Sequence, residues 1–174
     1  MVIPLRKQAA DEQGPAECAP WRYDATWDDG AAHAADARQV LRDFLAQAPR
    51  TGRPAVPPAV ALDAELAVSE LVTNAIQHAP GPCGMTLQLS GEELAITVWD
   101  TSAERPWVKP ADPHRIGGHG LHLVHAVSAR VVVAVHPEGK DITAHLPLAP
   151  HPDTSALEWE VLPTSLSGRK RKDA

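Results

Sequence analysis

A chain of 174 residues, 44% hydrophobic and 22% charged, has room for one domain with short tails, and such a domain buries about 70% of its unfolded surface, so its core needs neither disulfide nor metal. The net charge is −6, and the terminal run Arg169-Lys170-Arg171-Lys172-Asp173 hides a body three charges more negative, which excludes direct nucleic-acid binding by phosphate repulsion. Cys18 and Cys83 have no metal-site spacing, no stretch nears the ~18 apolar residues of a membrane span, and the start MVIPLRKQAADEQG has no signal-peptide core, so a cytoplasmic chain with free thiols and no membrane contact is expected.

Residues 1–19, with Pro4, Gly14 and Pro15, read as a flexible N-terminal tail. Trp21 to Trp27 (WRYDATW) alternates large and polar residues and predicts a strand. Between Ala31 and Ala48, Val40, Leu41, Phe44 and Leu45 fall at helical spacing, and Pro49 ends the helix. After the loop TGRPAVPP a second helix runs from about Ala59 to Ala79, where Pro80-Gly81-Pro82 breaks it. Met85 to Leu89 and Leu94 to Trp99 alternate on either side of Ser90-Gly91-Glu92-Glu93, which predicts a hairpin. Thr101 to Gly120 is a long loop, and loops of that length inside a compact domain are usually functional. Leu121 to Ala129 reads as a helix, followed by strands Val131 to Val135 and Ile142 to Leu146 around Pro137-Glu138-Gly139-Lys140. The domain is expected to span 20–149, with 150–174 a flexible C-terminal tail ending in the basic run. Hairpin-joined strands with the helices gathered on one face predict a two-layer α+β sandwich.

The chemistry concentrates on the second helix, ALDAELAVSELVTNAIQHA. With Glu70 set at zero and about 100° per residue, Leu71, Ala75, Val68, Ala79, Val72 and Ile76 cover an arc from about 100° to about 240°, the expected core face. Glu70, Asn74 and His78, four residues apart, sit at about 0°, 40° and 80°. A carboxylate, an amide and an imidazole thus share one space: the first orients or deprotonates a hydroxyl, and an Asn carbonyl oxygen is a hard ligand for Mg²⁺. The bland alternative is a solvated polar helix face.

Two further pieces follow in order. Ile96-Thr97-Val98-Trp99-Asp100 is a strand ending in an acid; it is either a cap or an acceptor for the exocyclic amine of adenine. Arg115-Ile116-Gly117-Gly118-His119-Gly120-Leu121 is glycine-rich and opens a helix, so its backbone N–H groups and the helix N-terminus suit phosphate, and His119 would lie near that phosphate. The alternative there is a plain flexible loop. His119, His122 and His125 are spaced by three, which spreads them over about 240° of helix and argues against a converging metal site. Cys83 reads as a small buried residue at a strand start.

Together ELVTNAIQHA, VWDTS and GGHGLHLV resemble the signature boxes of the GHKL ATPase superfamily, within it the histidine-kinase-like ATPases of the anti-sigma-factor, serine-protein-kinase type. The resemblance covers roughly Trp21 to Leu148. It implies a Bergerat sandwich, α+β, with a mixed, mostly antiparallel sheet and helices on one face. It implies ATP and Mg²⁺ as cofactors, with Asn74 as the metal ligand, Glu70 as the catalytic carboxylate that activates the hydroxyl or water, Asp100 as the adenine carboxylate, and Gly118 and Gly120 as glycines of the phosphate lid; His78, Gly117, His119 and Leu121 are counted as further cofactor-binding candidates. It implies phosphorylation of a small antagonist protein, sequestration of a sigma factor, or both, with a homodimer left open. Two departures stand out. Thr101-Ser102-Ala103 replaces glycines after Asp100, and Gly139-Lys140-Asp141 puts an aspartate where a threonine would support the adenine pocket. From these, Asp141 is expected near Asp100, with Thr143 as a substitute threonine if the register allows. The alternative function is a non-catalytic partner-binding module with a degenerate nucleotide site.

Overall fold

A computed structural model describes residues 20–28, 31–53, 55–79, 81–104, 120–149 and 159–163. The elements are β1 (Trp21–Trp27), α1 (Ala34–Gln47), a 3-10 turn (Ala48–Thr51), α2 (Pro58–His78), β2 (Cys83–Leu89), β3 (Glu93–Asp100), α3 (Gly120–Val127), β4 (Arg130–His136), β5 (Gly139–Pro147) and β6 (Trp159–Pro163). The strands form one sheet in the order β1-β2-β3-β5-β4-β6. Every neighbouring pair is antiparallel except β4 and β6, which are parallel. With the three helices this is the α+β sandwich that the element order predicts.

The alternation of β1 is real: Trp21, Tyr23, Ala25 and Trp27 are half-buried while Arg22, Asp24 and Thr26 are exposed. Trp21 stacks on Phe44 of α1 at 4.2 Å between ring centroids and 13° between planes, in the range where aromatic pairs add to simple burial. Serine ends β2: the Ser90 hydroxyl accepts the backbone N–H of Glu93 at 3.0 Å and of Glu92 at 3.3 Å, a local turn device that closes the β2–β3 hairpin. Proline at the first turn starts α2, where a missing N–H costs nothing. Arg42 and Glu65 clamp α1 to α2 through a two-bond fork at 2.6 and 2.9 Å, which holds Glu65 below the usual carboxylate range, chiefly through the hydrogen bond from Arg42.

The core lies between the helices and the inner face of the sheet. α2 supplies Ala64, Ala67, Val68, Leu71, Val72 and Ala75, and the strands supply Met85, Leu87, Leu94, Ile96, Val98, Val131, Val133, Ile142, Ala144 and Leu146. Three alanines in the α2 stripe bring its backbone close to the sheet, which is how a chain poor in aromatics closes its core. Two expectations are corrected here. Ile76, assigned to the core face, is 44% exposed, because the buried stripe of α2 stops short of the far edge of the arc. The tail assigned to 150–174 contains β6, whose backbone pairs with β4 from Val131↔Trp159 to Val135↔Pro163. A five-residue strand in a Pro- and Ser-rich stretch gives no periodic signal long enough to read. The 3-10 turn also carries the chain past Pro49, to Gly52 at φ +79°.

Candidate functional site

The candidate residues lie on α2, at the start of α3, and where the end of β3 pairs with the start of β5. Glu70 is half-buried on α2, and Asn74, one turn later, is half-buried too. α3 packs against α2, and its first residue, Gly120, comes so close that an added Cβ would strike the Glu70 carboxylate. Glycine is the residue that permits this approach. Glu70 therefore sits at the N-terminal end of α3, where the helix dipole favours a negative charge. Among the described residues, neither Glu70 nor Asn74 spends its polar head on a hydrogen bond or ion pair within the protein. His78, the last residue of α2, is exposed and shares the polar side with Asn74. Leu121 is half-buried in the first turn of α3. Gly117, Gly118 and His119 lie outside the described residues.

Asp100 ends β3 on the inner face, in the row of Leu94, Ile96 and Val98, and is 4% exposed. Its Oδ1 accepts the backbone N–H of Ser102 at 2.9 Å and the Nζ–H of Lys140 at 2.9 Å. Lys140 also donates to the Ser102 carbonyl at 3.4 Å. The register sets this contact, since Asp100 pairs with Lys140 across β3 and β5. Gly139 tightens it: at φ +147°, in a region open essentially to glycine, it lies where a Cβ would run into the Asp100 carbonyl. Cys83, the first residue of β2, is buried as expected. Burial pushes its thiol up, and the Asp100 charge pushes it further, so the thiol stays neutral beside the carboxylate.

The register corrects both expectations drawn from the departure at β5. Asp141 is not beside Asp100. It lies in the outer row, with its Oδ2 3.4 Å from Nε2 of His136. Thr143 is no substitute either, since its hydroxyl is 2.9 Å from that of Thr97, again on the outer face. Alternation along β5 buries Lys140, Ile142, Ala144 and Leu146 and leaves Asp141, Thr143 and His145 half-buried on the other side. Lys140 is the residue that sequence reasoning passed over, and the same period of two was the signal for it. Of the residues after Asp100, Ser102 is bound to Asp100 through its backbone N–H, and the Thr101 hydroxyl lies against Gly81. Of the histidines, His125 is buried on α3. Among the described residues no three His, Cys, Asp or Glu side chains gather as a metal site would require.

The sequence that builds these elements matches a known family. The profile of the histidine kinase-like ATPase domain matches residues 29–146. The chain belongs to that family. The histidine kinase-like ATPase domain runs from just before α1 to the end of β5, so the two edge strands, β1 and β6, lie outside the matched residues. Among solved structures the chain is similar to the crystal structure of the RsbU and RsbW domains of Rv1364c from Mycobacterium tuberculosis, at 19% identity and a TM-score of 0.53 over 72% of this chain. It spans 32% of that longer protein, and the likeness supports the fold. No curated protein sequence matches it. Among the described residues no helix is long and apolar enough to cross a membrane.

Proposed function

We propose that this chain is an ATP-binding regulatory protein of the anti-sigma-factor kinase type, which acts in the cytoplasm on protein partners. In this reading it phosphorylates a serine or threonine of a small antagonist protein, sequesters a sigma factor, or does both. The observation that carries it is Glu70 held against Gly120, with Asn74 one turn away and, among the described residues, both heads unspent. The residues suit Mg-ATP at the phosphate end. Asn74 offers a carbonyl oxygen to Mg²⁺, and the α3 N-terminus favours anionic oxygens. When bound, Mg-ATP supplies the transferable phosphoryl group. Glu70 then orients an incoming hydroxyl and takes its proton, and the chain's contribution is positioning and charge neutralisation. At the base end the match is incomplete, because the Asp100 oxygen that receives Lys140 is already engaged.

That ion pair favours a second reading, a partner-binding module that holds nucleotide without turnover, or holds none. Capture of partners from the native cell with and without Mg-ATP, followed by transfer of labelled phosphate to the captured protein, separates the two. The kinase reading expects transfer by the wild type and its loss in Asn74→Ala and Glu70→Gln. Partner capture with no transfer, unchanged by Asn74→Ala, leaves the module.

A further inference from the structure

We infer that Lys140 is an internal occupant of the base-reading carboxylate and sets the nucleotide affinity of the site; this rests on the reading that Asp100 receives the base. An exocyclic amine of adenine offers a neutral N–H. Lys140 offers a charged one, and charge-assisted hydrogen bonds are roughly twice as strong. Its ammonium is 2.9 Å from Oδ1, the oxygen that also holds the Ser102 amide. The two side chains are 2% and 3% exposed, so water does not screen the pair. Lys140 is also fixed in place. The Asp100↔Lys140 register and the close approach at Gly139 leave β5 no room to withdraw it by sliding. A base reaches the full carboxylate only if the Lys140 head swings away. The wild-type site is therefore a weak adenine site by construction, and loss of the lysine opens it.

Calorimetry with Mg-ATP on the full chain tests this with wild type, Lys140→Thr and Asp100→Asn. Lys140→Thr is expected to bind at least about tenfold more tightly than wild type, the equivalent of one hydrogen bond to a charged group. A second measurement needs no variant: acylation of lysines in the wild type, read residue by residue by mass spectrometry. Lys140 is expected to react slowly in the free protein and faster under saturating Mg-ATP, as the base displaces it. Wild-type binding as tight as that of Lys140→Thr, or slower acylation of Lys140 with Mg-ATP, overturns the inference. If the wild type binds tightly and Asp100→Asn loses that affinity, the ATP site stands and Lys140 has no such role. If neither wild type nor Lys140→Thr binds Mg-ATP, the ATP-site reading itself falls.

Discussion

Gly120 and Glu70 show how one missing methyl group permits a close approach between two helices. The atom that a Cβ at Gly120 would meet first is the carboxylate end of Glu70, while the Glu70 Cδ and Cβ lie farther off at 3.4 and 3.6 Å. The far end of a flexible side chain can yield. Gly120 also begins a helix, where alanine is the better former by up to about 1 kcal/mol. Gly120→Ala is therefore expected to melt at or slightly above the wild-type temperature. Its Glu70 carboxylate is expected to be pushed off line, and displacements near 1 Å cost up to about 100-fold in a positioned reaction. Thermal melts beside a phosphoryl-transfer assay check both halves. A lower melting temperature with transfer intact would reverse the argument. The sequence showed Glu70, Asn74 and Asp100 as residues but not their partners. Glu70 and Asn74 share a face through helical spacing alone, whereas Asp100 and Lys140 meet through a register across forty residues, which no local pattern encodes.

The elements were legible in proportion to the length of their periodicity. α2 repeats its apolar stripe over 21 residues, so its span and its polar face could both be read. β2 and β3 showed as alternating runs around a serine-closed turn. The end of α2 is where the reading failed, because angle alone put Ile76 inside and contact put it outside. α3 is shorter and carries a titratable group into the interior. His125 is 8% exposed, and burial, aided by the neighbouring His122, lowers its pKa. An unfolded histidine takes up its proton as pH falls through about 6.5, but the folded one resists until lower pH. The stability tied to His125 is thus fully present above about 6.5 and is lost on acidification towards the lowered folded value. Melts from pH 7.5 to 5.0 are expected to show a steeper fall for wild type than for His125→Leu. Parallel slopes would mean that the acid sensitivity arises elsewhere.

At the scale of the whole molecule, the sheet extends beyond the segment that the family profile matches, and each added strand lies on an edge. β6 covers the edge of β4, whose sequence RVVVAVH combines high β-propensity with low charge and no proline, the composition of a segment prone to pair with copies of itself. An uncovered edge of that kind presents a row of unpaired N–H and C=O groups to any neighbouring chain. A chain ending at residue 149 keeps every element from β1 to β5 and, among the described elements, removes only β6. It is expected to melt lower than the full chain and to form larger species at the same concentration, seen by light scattering after size exclusion. Val132 is half-buried and alternates with the buried Val131 and Val133, so it belongs to the outer row, where a lysine need not enter the core. Val132→Lys in the shortened chain is expected to restore the smaller species without restoring the melting temperature, because a charge on an edge strand blocks pairing but does not replace a strand. A shortened chain with the size and melting temperature of the full one would show that β6 contributes nothing to the closure of the sheet.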